Sequence, residues 1–158
     1  MICSEDNNNM NCCTHLADQK LELLPFVRVI AIGYYDGPTE GFTDCATCGQ
    51  TYAFRKLDWD KSQDVRIIGF APIAVSFDEI ATKLSCNQTV GNTVCIVQPL
   101  TEAKEEFVTK LFGNPVRYVV VVEDWPWRSS ARKELSSVDT SQISDWFLFL
   151  EVPRSTRW

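Results

Sequence analysis

Histidine is almost missing from this chain of 158 residues, with His15 the single example. Catalysis that turns on an imidazole, such as a serine nucleophile with a histidine base, would have to pass through that one residue. No glycines stand at GxGxxG spacing, no Walker A loop is present and HExxH does not occur. The familiar signatures of dinucleotide binding, phosphate cradling and zincin chemistry are therefore missing too. Apolar runs such as Val119–Val122 are far shorter than the roughly 20 residues that span a bilayer, so no membrane segment is expected. Met1–Asn11 is polar and has no apolar core of a secretory signal, which leads to the expectation of a cytoplasmic protein.

Hydrophobic residues make up 45% of the chain, enough to build a core, and the formal charge is −6. An acidic surface repels phosphate backbones, so a nucleic-acid partner is disfavoured. Residues 1–20, rich in Asn and acidic side chains, read as a flexible tail. Residues 21–158 read as a single domain. Phe26–Tyr35, Gln50–Trp59 and Val65–Ile73 carry the β-branched and aromatic residues of strands and suggest an antiparallel meander. Ser76-Phe-Asp-Glu79 is a capping box for a short helix over Phe77–Leu84. Asn92–Gln98 is a short fourth strand. Glu102–Phe112, with acids at its start and Gly113-Asn-Pro115 at its end, is a second helix. Its residues Ala103, Phe107 and Leu111 share a face that would pack on a sheet. Val116–Glu123 is a strand buried on both sides, Ser129–Leu135 a helical turn, Ser136–Ser144 a polar loop and Trp146–Val152 a last strand. The expected class is α+β: a mixed β-sheet opening with a three-stranded N-terminal meander, with helices packed on one face.

The stretch Cys45-Ala-Thr-Cys48-Gly49-Gln-Thr-Tyr52 lies in a turn between two of these strands. Two cysteines at this spacing present both sulfurs to one side, and Gly49 eases the turn by accepting a positive φ. A CxxCG followed by an aromatic resembles one knuckle of a zinc ribbon or a rubredoxin-type site. The resemblance covers about eight residues and implies a structural zinc held by Cys45 and Cys48. The chain has no second CxxC. Cys12 and His15, in Cys12-Cys13-Thr14-His15, would complete a Cys₃His set, and two chains sharing one ion is another route, so a homodimer is an option. A thiol oxidoreductase would place the first cysteine at a helix start, whereas Thr51–Phe54 continue as a strand. Cys86 and Cys95 flank an eight-residue stretch that holds the sequon Asn87-Gln88-Thr89; a bridge there would go with secretion.

Acidic residues at strand ends are the remaining catalytic candidates. Asp58 and Asp60 close the strand that follows the cysteine turn, and Glu123 and Asp124 close the valine strand. If they converged they would hold Mg²⁺ or act as an acid–base pair. For partner binding, Trp125-Pro-Trp127-Arg128 with Arg132 and Lys133 interleaves aromatic and basic groups, the chemistry of protein hot spots. Tyr35 and Asp36, at the start of the loop Asp36–Gly41, form a second candidate lip. These features favour a non-catalytic, acidic binding or regulatory protein with another protein as partner. Its composition suits an inhibitor- or immunity-like module facing a basic partner. The competing class is a metal-dependent enzyme built on the four carboxylates.

Overall fold

Segments with β-branched and aromatic residues on both sides of the chain need cover on both faces, and they find it by lying side by side. The computed structural model describes Leu16 and residues 23–35, 37–60, 65–86, 94–97, 99–124 and 128–138. In order, these form β1 (Phe26–Tyr34), β2 (Pro38–Cys45), β3 (Thr51–Asp60), β4 (Val65–Ile73), α1 (Phe77–Lys83), β5 (Val94–Ile96), α2 (Glu102–Leu111), β6 (Val116–Asp124) and β7 (Arg128–Val138). All seven strands belong to one sheet in the order β5-β1-β2-β3-β4-β6-β7. Every pairing is antiparallel except β1 with β5, where Val29–Ala31 run beside Val94–Ile96.

The two faces of the sheet build two cores. Successive side chains on a strand point to opposite faces, so Tyr52 and Phe54 enter one cluster while Ala53, between them, enters the other. The first cluster is aromatic: Phe70 lies 5.4 Å from Phe26, 6.2 Å from Tyr52 and 5.9 Å from Phe54, centroid to centroid. Leu16, within the segment expected to be a flexible tail, is fully buried in this cluster. The second cluster joins Ile30, Phe42 and Ile73 to side chains of the two helices. β4, with a strand on either side, is buried along its whole length.

Local chemistry starts and stops the helices where the sequence places them. The Ser76 hydroxyl accepts from the Glu79 amide at the start of α1, and the Thr101 hydroxyl accepts from the Lys104 amide at the start of α2. α1 ends in a Schellman turn: Ser85 takes a φ of 60°, its amide donates to the Thr82 carbonyl, and the Cys86 amide donates to the Ala81 carbonyl. This geometry usually falls to glycine. It delivers Cys86 to Cys95 on β5, and the two are joined in a disulfide with their Cα atoms 6.1 Å apart. The bridge fastens a three-residue edge strand to the end of α1.

The expected α+β arrangement does not form. Strand dominates, and the only helices among the described residues have seven and ten residues. α2 buries Val108 and Leu111, a stripe too narrow to make a layer, and Ala103 on its expected face is exposed. The opening meander has four strands, because Pro38–Cys45 is a strand instead of loop and turn. Gly41 makes it possible: a Cβ there would overlap the Ile30 carbonyl oxygen on β1. Two polar residues of β2 are bonded across to β1: the Thr43 hydroxyl donates to the Arg28 carbonyl at 2.8 Å, and Asp44 accepts from the Arg28 side chain. The expected helical turn at Ser129–Leu135 is part of β7, which extends to Val138. Arg, Lys, Glu and Leu favour helix locally, but the valine-rich β6 presents an open edge whose backbone groups need partners. The expected strand Trp146–Val152 and the sequon Asn87–Thr89 lie outside the described residues.

Candidate functional site

Lys56, Trp59 and Arg66 reach a common patch through an irregularity in β3. Lys56 pairs with Ile68, but Asp58 pairs with Ile67 and Trp59 with Arg66, so β3 contains one residue more than β4 over this stretch. Such a bulge changes the side-chain phase beyond it. Trp59 therefore emerges on the face of Phe54 and Lys56, beside Arg66. The Lys56 ammonium sits 5.1 Å from the centre of the Trp59 ring and the Arg66 guanidinium 5.3 Å from it. Tyr35, just past the end of β1, meets the Trp59 ring edge-on at 5.9 Å. Its amide donates to the Gly37 carbonyl at 2.9 Å, which fixes the start of the β1–β2 connection. Tyr35 is 65% exposed, so the patch offers its phenol to solvent on a packed base, and the neighbouring Tyr34 is 43% exposed.

At the other end of the meander lies the cysteine turn. Cys45 is the last residue of β2 and is buried, while Cys48 is half-buried against the aromatic cluster. The Gly49 amide donates to the Cys45 carbonyl at 2.8 Å and the Cys45 amide donates to the Gln50 carbonyl at 2.9 Å. Gly49 has a φ of 83°. The Ala46 amide donates to the Pro25 carbonyl at 2.8 Å, tying the turn to the entry of β1. No disulfide joins Cys45 to Cys48. Next to the turn, Arg28 grips Asp44 with two hydrogen bonds of 2.8 and 3.1 Å and reaches Asp78 on α1 at 3.0 Å. Hydrogen bonding to Asp44 raises the Arg28 pKa above its ordinary value, burial acts against this, and the charges of Asp44 and Asp78 add to it. The guanidinium also lies 4.3 Å from the centre of the Phe77 ring.

No protein-family model, curated protein or solved structure matches this chain. The site is accordingly read from its own chemistry.

The four strand-end carboxylates lie on β3 and β6. Asp58 is occupied locally, its side chain accepting from the Trp59 amide at 2.8 Å. Glu123 is exposed on β6, and β4 runs between that strand and β3. Asp60 ends β3 and Asp124 ends β6, and their side chains lie outside the described part. Among the described residues there is no group of three or more His, Cys, Asp or Glu side chains able to hold a metal. Cys12, His15, Asp36, Trp125 and Trp127 lie outside the described residues, and Arg128 is placed only by its backbone, as the first residue of β7. Among the described residues no helix is long and apolar enough to cross a membrane.

Of the expected contact residues, then, Tyr35 is placed in a built patch. Sequence reasoning missed Lys56, Trp59 and Arg66 as its companions. The signal available was the aromatic Trp59 three residues after Lys56. Plain alternation sends these two side chains to opposite faces, so only the bulge brings them together.

Proposed function

We propose that this chain is a non-catalytic, acidic binding protein that takes a basic protein partner through Tyr34, Tyr35 and Trp59, in the manner of an inhibitor or immunity protein. The observation that carries this reading is the Trp59 ring, with two cations near it and Tyr35 in edge contact with it, while Tyr35 stays largely exposed. Rigid aromatic groups lose little conformational freedom on binding, and Trp, Tyr and Arg dominate the energetics of protein interfaces. Lys56 and Arg66 lie over Trp59, so the phenol faces are what the strip offers outward. Such faces attract the cationic side chains of a partner. The formal charge of −6 would steer a basic protein toward the molecule over longer range.

The test pairs capture with titration. Wild type and a Tyr34→Ala/Tyr35→Ala variant are used as bait in extracts of the source cells, and a partner retained only by wild type is purified and titrated calorimetrically. The expected result is an affinity at least tenfold weaker for the variant and a steady fall with added salt. A partner bound equally by both forms, or an acidic partner, ends the proposal. A cytoplasmic location belongs to the same proposal. The Cys86–Cys95 bridge stands against it, since disulfides are rare in that compartment, and alkylating thiols before lysis in the same capture decides the point: a bridge found intact in the cell ends the cytoplasmic location.

A further inference from the structure

Two attachments hold β5 at the edge of the sheet, and they differ in kind. One is its pairing with β1, Val29–Ala31 beside Val94–Ile96, continued by the Val97 amide donating to the Ala31 carbonyl at 2.9 Å. No side chain on this stretch is fully buried: Val94, Cys95 and Val97 are half-buried and Ile96 is 50% exposed. A strand so short, with so little apolar cover, opens by local fluctuation at low cost. The other attachment is covalent, the bridge from Cys95 to Cys86. Its far end is firm. α1 buries Phe77, Ile80 and Ala81, Leu84 behind it is buried as well, and Asp78 is paired with Arg28 at 3.0 Å. The Lys104 ammonium donates to the Leu84 carbonyl at 3.3 Å, tying the same end of α1 to α2. Cutting the bridge therefore acts on one side. α1 keeps its packing, and β5 is left with its three-residue pairing.

We propose that Cys86–Cys95 is a redox switch: reduction by a dithiol releases residues 94–97 from the sheet and opens the outer edge of β1, and reoxidation closes it. Cys95 is less buried than Cys86, which is 6% exposed, so the incoming thiolate attacks the Cys95 sulfur. A mixed disulfide forms on Cys95, and Cys86 leaves as a thiolate that takes up a proton. The second thiolate of the reductant then attacks its own sulfur in the mixed disulfide and frees Cys95, which is protonated in turn. Two electrons and two protons pass to the bridge, and the dithiol departs as a disulfide. The edge uncovered belongs to an apolar stretch, Val29–Ala31, whose backbone groups then lack the partners that β5 supplied. Such an edge is a template for a further strand.

The experiment uses the full chain with the bridge formed, treated with excess dithiothreitol at neutral pH and without denaturant. Differential alkylation with peptide mapping identifies the thiols, and hydrogen exchange follows the backbone. The expected result is full reduction of Cys86 and Cys95, exchange at least ten times faster over residues 94–97, and less than a twofold change in α1 and β3. Oxidised glutathione should reform the bridge and restore protection. A Cys86→Ala/Cys95→Ala variant should show the open pattern with or without the dithiol, which separates loss of the bridge from other effects of the reagent. A bridge that resists the dithiol in the folded chain, or unchanged exchange over 94–97 after reduction, overturns the proposal. So does loss of protection throughout the sheet, which would make the bridge a staple of the whole fold.

Discussion

At one end of the β1–β4 meander, the turn at Cys45–Gln50 is locked by backbone hydrogen bonds, by the link from Ala46 to Pro25, and by the Arg28–Asp44 pair on its flank. At the other end, Tyr35 stands exposed on a base formed by Trp59 and its two cations, with the exposed Tyr34 next to it in the chain. The first end uses its polar groups to satisfy one another. The second turns aromatic surface outward, where solvent gives it no packing. The difference separates a region selected to hold shape from one whose composition costs solubility unless something docks there.

The comparison breaks most forcefully if the shared core is removed. Phe70 touches Phe26 and Tyr52 toward the cysteine end and Phe54 toward the aromatic end. Phe70→Ala should cost about 3–5 kcal/mol in urea denaturation. Hydrogen exchange at the 45–50 turn and at the end of β3 should accelerate together, whereas acceleration at one end alone would mean that the two ends are separately stable. A smaller effect sharpens the contrast at the locked end. Gly49 has its positive φ with open space around its Cα, so Gly49→Ala meets no clash and should cost only the left-handed backbone penalty, about 1–2 kcal/mol. A neutral result in thermal and chemical melts would show that the turn relaxes to another shape. The smallest change belongs to the exposed end: Tyr35→Ala should leave stability within about 0.5 kcal/mol while weakening partner binding. A loss of stability above 2 kcal/mol on unfolding would make Tyr35 part of the fold instead.

Much of the fold is legible in the chain because local and tertiary forces agree there. Ser76 and Thr101 cap helices that begin where those residues predict, and the apolar runs at β1, β3, β4 and β6 pair as such runs must. The failures occur where the forces disagree. β2 carries Pro38, Gly41, Thr43 and Asp44, which locally favour turn, yet Arg28 and the β1 backbone satisfy its polar groups from across the sheet. β7 carries helix-favouring residues, and the unpaired edge of β6 decides its conformation. At the candidate interface, Tyr35 was visible as an aromatic at a strand end. Its companions were hidden because the register between β3 and β4 is not written in either strand alone.

Leu57 is the extra residue in that register, the one left over when β3 and β4 are matched. A pleated strand has only two phases, so a single added residue exchanges them for everything downstream. Were Leu57 paired in plain alternation instead, the indole would face the helix side of the sheet and Lys56 and Arg66 would have no ring beside them. Which side of this molecule can recognise another therefore depends on one residue of β3 standing outside the ladder.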